Sequence, residues 1–131
     1  MGKSIITVDN SATLRKMVSF ILKGVGHTVY EAEDGAEAVK VIETKNIHII
    51  ITDFHMPNIN GLEFTKAVRA MPQHTKTPIL FLTIEKEKQQ KADAKAAGAN
   101  GWIVKPFTPE QLLAIISRFE ELIENAKAAG A

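Results

Sequence analysis

The chain has 131 residues, 45% hydrophobic and 24% charged, the size and balance of one soluble globular domain. Sixteen basic against fifteen acidic residues leave a formal net charge of +1, which removes the broad electrostatic footprint of a nucleic-acid binder. The lack of cysteine excludes disulfide scaffolds, thiolate zinc sites, Fe–S clusters and thiol nucleophiles.

At the N-terminus, Lys3 to Val8 reads as a strand. Its apolar residues Ile5, Ile6 and Val8 are too few for a signal-peptide core before Asp9 interrupts. Gly2 hints at myristoylation, but Ile6 stands where that motif needs Ser or Thr. No apolar run approaches the ~18 residues of a membrane span, so the expectation is a cytoplasmic protein with no membrane partner. A helix follows, and Asn10 or Ser11 is placed to cap it. Gly24-Val25-Gly26 comes after a helix rather than a strand, so it is no dinucleotide fingerprint.

Thr28 to Glu33 is the second strand candidate, and Asp34 followed by Glu37 opens a helix as a capping-box variant. Ile47 to Thr52 and Ile79 to Thr83 are nearly continuous apolar runs, as in strands covered on both faces. Lys86, Lys88, Lys91 and Lys95 stud the fourth helix, where a solvated face is the default reading. Gly101 to Val104 is the fifth strand, and Thr108-Pro109 reads as N-cap plus first-turn proline. In the last helix Leu112, Ile116, Phe119 and Ile123 share one face that should pack on a sheet. The tail from Ala126 to Ala131 is small and weakly polar, an end expected to fray. Five strands alternating with five helices predict an α/β fold, a parallel sheet between two helical layers.

In such a sheet, function collects outside the carboxyl ends of the strands. Asp9 and Asn10 follow the first strand, Asp53 the third, Thr83 ends the fourth, and Lys105-Pro106 follows the fifth. Each alone has a bland explanation, since Asp at a strand end is usually a cap or turn former. Together they set two carboxylates, a carboxamide, a hydroxyl and an ammonium on one edge. Two carboxylates ~4 Å apart near a surface repel by roughly 4 kcal/mol at an effective dielectric of 20. Mg²⁺, a hard dication, relieves that repulsion and keeps waters for a phosphoryl ligand. A carboxylate beside a metal and a lysine can attack phosphorus, and Asp53, with an open loop after it, is the better nucleophile candidate.

Val8-Asp9-Asn10-Ser11, Thr52-Asp53-Phe54-His55-Met56-Pro57, Asn60-Gly61, Thr83 and Lys105-Pro106-Phe107 resemble the motif set of response-regulator receiver domains, most nearly the single-domain chemotaxis regulators. The likeness covers essentially Lys3 to Leu122 and implies one receiver domain over 1–125, doubly wound and flavodoxin-like, with strand order 2-1-3-4-5. It implies that Asp53 accepts a phosphoryl group from a histidine kinase or a small phosphodonor, and that Thr83 and Lys105 bind the phosphoryl oxygens. It further implies Mg²⁺ held by Asp9, Asn10, Asp53 and the His55 carbonyl, a cis Lys105–Pro106 bond, and an aromatic switch at Trp102. Lys91 and Lys95 would adjoin that switch as an output surface for an acidic partner segment. The implied protein is a monomer, and the resemblance points to a component of the flagellar motor switch as its target.

The departures also predict behaviour. Asn10 stands where the family usually has a second acid, so Mg²⁺ should bind more weakly and phosphotransfer should be slower. Ile84 is bulkier than the small residue usual after the switch threonine and would hinder access to the phosphoryl group. His55 and Glu85 occupy positions that tune dephosphorylation. Read without the likeness, His27, His48 and His74 are isolated and none is a ligand, His55 is a loop side chain, and Trp102 is packing. Two other functions stay in play beside a phosphorelay intermediate or phosphate sink. One is a phosphorylation-independent binding module, suggested by Asn10. The other is a phosphatase passing through aspartyl phosphate, for which Asp9 to Thr13 offers a faint motif with Asn10 in the wrong place.

Overall fold

The computed structural model describes residues 2–54, 56, 59–84 and 88–130. In chain order these give β1 (Ser4–Val8), α1 (Ala12–Lys23), β2 (Thr28–Ala32), α2 (Gly35–Thr44), β3 (Ile49–Asp53), α3 (Gly61–Arg69), a short 3₁₀ turn (Pro72–His74), β4 (Ile79–Thr83), α4 (Lys88–Ala97), β5 (Gly101–Val104) and α5 (Pro109–Gly130). The strands form one parallel sheet in the order β2-β1-β3-β4-β5. This is the expected doubly wound arrangement.

The apolar runs feed two cores because alternate residues of a strand point to opposite faces. Ile6, Val8, Ile50, Ile79 and Phe81 join Ala38, Ile42, Phe64 and Val68 of α2 and α3 on one side. On the other, Ile5, Ile49, Ile51, Leu80 and Leu82 join Val18 and Leu22 of α1. Leu112, Ile116, Phe119 and Ile123 of α5 complete that second layer, the face their spacing predicts.

Helix starts follow the sequence signals. Ser11 is the cap of α1 and Asp34 that of α2, each side chain accepting from the third residue onward. Asn60 and Glu63 close a reciprocal capping box on α3. Thr108 Oγ1 accepts from Gln111 N, and Gln111 Oε1 accepts from Thr108 N.

Several boundaries differ from expectation. β1 begins at Ser4 and β3 at Ile49, because imidazoles replace backbone partners at that edge. Lys3 N donates to His27 Nδ1 at 3.0 Å and Ser4 N to His48 Nδ1 at 2.9 Å, where backbone carbonyls would otherwise continue the ladders. β2 stops at Ala32, whose carbonyl takes Asp9 N, so Glu33 falls in the turn before α2. Residues 126–130, expected as a loose tail, continue α5 as helix. Their three alanines are the strongest helix formers, which suits a helix end with little to pack against. Among the described residues, no helix is long and apolar enough to cross a membrane.

Candidate functional site

The C-terminal ends of β1, β3 and β5 bring Asp9, Asp53 and Lys105 together. Lys105 Nζ lies 3.4 Å from Asp9 Oδ2 and 3.5 Å from Asp53 Oδ2, one ammonium bridging two carboxylates. The Lys105–Pro106 peptide is cis, as expected, and Lys105 N donates to Thr83 O at 2.8 Å. That bond ties the lysine's strand end to Thr83, whose own side chain is fully buried at the end of β4.

Asp9 takes the turn-forming role considered for it and also pairs with the lysine. Its Oδ1 accepts from Ser11 N at 2.8 Å, the turn-forming role, while Oδ2 faces Lys105. It is only 4% exposed, which makes a charged partner necessary. Asn10 is exposed beside it. Among the described residues no three His, Cys, Asp or Glu side chains form a group able to hold a metal ion. His55 and Glu85 lie outside the described residues, so the expected His55 carbonyl and the tuning positions carry no geometry here. Ile84 is 69% exposed and stands out in solvent at the end of β4.

Trp102 packs inward rather than standing alone. Its ring stacks on Phe81 at a centroid distance of 6.0 Å and an interplanar angle of 14°. Phe54 meets both rings edge to face, at 5.9 Å from Phe81 and 6.0 Å from Trp102. Phe54 directly follows Asp53, so the trio links the acidic edge to β5. On its outer side Trp102 borders a groove of ≈ 250 Å³ shared with Lys91 and Lys95 of α4. Lys86 and the Lys88 side chain lie outside the described residues.

Two supporting residues carried no assigned role in the sequence. Arg15 Nη1 donates to Asp9 O at 2.7 Å while its Nε donates to Glu31 Oε1 at 3.2 Å, clamping the backbone beneath Asp9. Its position one helical turn past the Ser11 cap hints at nearness, but the Glu31 partner comes from β2 and has no local signal. Gly61 N donates to Phe54 O at 2.8 Å, and a Cβ at Gly61 would stand 2.5 Å from Asp53 O. A side chain there would push α3 off the end of β3.

An open-edged, doubly wound sheet with an Asp/Asp/Lys cluster at its carboxyl edge defines the class. The chain belongs to the response regulator receiver domain family, whose model matches residues 5–117. It is 39% identical over 130 residues, 97% of each chain, to a Campylobacter jejuni protein named chemotaxis protein CheY homolog. The solved structure of Vibrio cholerae chemotaxis protein CheY4 superposes with a TM-score of 0.88 at 43% identity, over 91% of this chain and 99% of that one. A receiver domain of a Pseudomonas aeruginosa sensor histidine kinase, described with a magnesium ion coordinated in its active-site cleft, matches with a TM-score of 0.83 at 26% identity, over 91% of this chain and 98% of that one.

Proposed function

We propose that Asp53 is the phosphoacceptor of this response regulator, phosphorylated by a histidine kinase, and that the phosphorylated chain signals by binding a protein target. The carrying observation is Lys105 Nζ set 3.4 Å and 3.5 Å from the carboxylates of Asp9 and Asp53. An Asp53 carboxylate oxygen forms the new bond to phosphorus as the bond to the donor's imidazole nitrogen breaks, its electron pair staying on that nitrogen. Lys105 offsets the negative charge gathered on the phosphoryl oxygens, and the Thr83 hydroxyl donates to one of them. The chain is thus its own substrate and assists its own phosphorylation and dephosphorylation rather than turning over a metabolite.

The donor set suits Mg²⁺: two carboxylates share one ammonium, and Asn10 follows Asp9 in the chain. Asp9, Asn10 and Asp53 would hold the ion, with the His55 carbonyl as a further expected ligand. Bound there, it offsets charge on the carboxylates and the phosphoryl group. Having one acid fewer, the site binds it weakly.

Output runs through Trp102. Phosphorylation draws Thr83 toward the phosphoryl group and repacks the Phe54–Phe81–Trp102 trio, which changes the groove that Trp102 shares with Lys91 and Lys95. Two lysines beside an aromatic ring suit an acidic segment of a monomer's partner. The chemotaxis names of the relatives support a flagellar motor switch component as that partner, and a phosphorelay or phosphate-sink role uses the same chemistry.

Intact-mass measurement after incubation with acetyl phosphate, with and without Mg²⁺, tests the reading. One Mg²⁺-dependent phosphoryl adduct is expected on the wild type and none on Asp53→Asn. Absence of any adduct at every Mg²⁺ concentration would instead favour phosphorylation-independent binding, the reading that Asn10 supports.

A further inference from the structure

The opposite edge of the sheet carries a second concavity. α5 has 22 residues, about 33 Å of helix, whereas the five-residue strand β4 spans only about 17 Å. The helix therefore overruns the N-terminal edge of the sheet. Its last turns and the segments leading into β3 and β4 enclose a groove of ≈ 480 Å³, within the usual range of small-ligand sites.

Ile47, Pro78 and Leu122 give this groove an apolar wall, and Leu122 stays 51% exposed despite its size. His48, Lys76 and Lys127 line it as well, and none of its lining residues is acidic. In a chain with near-equal numbers of acids and bases, that is a local positive excess. Glu124 is the nearby carboxylate on α5, and it is already paired with Lys3 Nζ. The His48 ring is fixed in tautomer, since Ser4 N donates to Nδ1 at 2.9 Å and the neutral ring must carry its proton on Nε2. Burial and the ammonium groups of Lys3 and Lys127 hold its pKa below the ordinary histidine value, so it remains a neutral N–H donor at pH 7.

We propose that this groove is a second ligand site, separate from the Asp53 edge, and that it binds a small monocarboxylate with an apolar body. The carboxylate meets His48 Nε2–H and the Lys127 ammonium, and the hydrocarbon lies along Ile47, Pro78 and Leu122. A bare phosphate would leave the apolar wall unused, and an uncharged chain would leave the donors unused. Leu122 and Lys127 both fall beyond the 5–117 span that matches the family model, and both lie at the far end of the last helix from the Asp53 edge.

Titration of the full chain with hexanoate, followed by amide and imidazole NMR, tests it. Expected are saturable shifts at Ser4, His48 and Lys127 with a Kd on the order of 1 mM, ordinary for a ligand of that size, and an upward move of the His48 pKa. Lys127→Gln, on the exposed end of a helix and harmless to the fold, should weaken hexanoate about threefold, the usual worth of one exposed charge pair. Hexanol and inorganic phosphate, run in parallel, should show no matching saturation. Binding of hexanol as tight as hexanoate, equal shifts from phosphate, no effect of Lys127→Gln, or no saturable shift with hexanoate would each overturn the proposal.

Discussion

Phe54 and Trp102 meet edge to face with their ring centroids 6.0 Å apart, which joins the residue after Asp53 directly to the aromatic of β5. Phe81 completes the contact from β4, lying opposite Trp102 in the strand register and stacked on its ring. On the proposed reading, a displacement at the end of β3 reaches the groove beside Trp102 through these ring contacts and needs no longer route.

Truncating that link should separate stability from signalling. Phe54 is 7% exposed, so Phe54→Leu is expected to cost about 1 kcal/mol in urea unfolding, whereas Phe54→Ala should cost about 3–5 kcal/mol. Trp102 is the only tryptophan, so its fluorescence reports the trio alone. Beryllofluoride, a phosphoryl mimic, should change that fluorescence in the wild type and change it much less in Phe54→Leu.

The charge count at the acidic edge predicts metal affinity. Asn10→Asp restores a carboxylate beside Asp9 and should tighten Mg²⁺ by roughly five- to tenfold, about 1–1.4 kcal/mol. Lys105→Met removes the cation that competes for both carboxylates and should also tighten Mg²⁺, while slowing phosphoryl transfer. Trp102 fluorescence titrated with Mg²⁺ gives the affinities, and unchanged values in both variants would contradict the assigned site.

Gly61 is expected to tolerate no side chain. In Gly61→Ala the new Cβ meets Asp53 O at 2.5 Å, a backbone atom that cannot rotate away. The loss should be about 1–3 kcal/mol in denaturant unfolding, accompanied by slower phosphorylation because Asp53 itself is displaced.

Stability should also fall in mild acid. His48 lies below its ordinary pKa chiefly through burial, with Lys3 and Lys127 adding to the effect. His74 is lowered in the same direction by burial and by Arg69. The unfolded chain, with histidines titrating near pH 6.5, then binds more protons than the folded one between the folded and unfolded values. The stabilisation is complete above about pH 6.5 and is lost as pH falls through the folded values. Urea midpoints measured from pH 8 to pH 5 should decline over that window, and His74→Gln should flatten the decline.

Much of this protein was legible in one dimension. Continuous apolar runs such as Ile79-Leu80-Phe81-Leu82 specified buried strands because successive side chains must enter opposite cores. The steps from Leu112 to Ile123 specified the buried face of α5, and Ser11, Asp34 and Thr108 marked helix starts through the amides that only their side chains reach. Asp9, Asp53, Thr83 and Lys105 could be assigned to one edge because a parallel sheet puts all strand ends on the same side. Tertiary structure alone decided what depends on distance between chain-remote atoms. Lys105 bridges two carboxylates, Arg15 reaches Glu31 on β2, Phe54 finds Trp102, and two imidazoles end the ladders of β1. The groove under α5 belongs to the same category. Local sequence sets which way a side chain faces, whereas only packing sets which partner stands there.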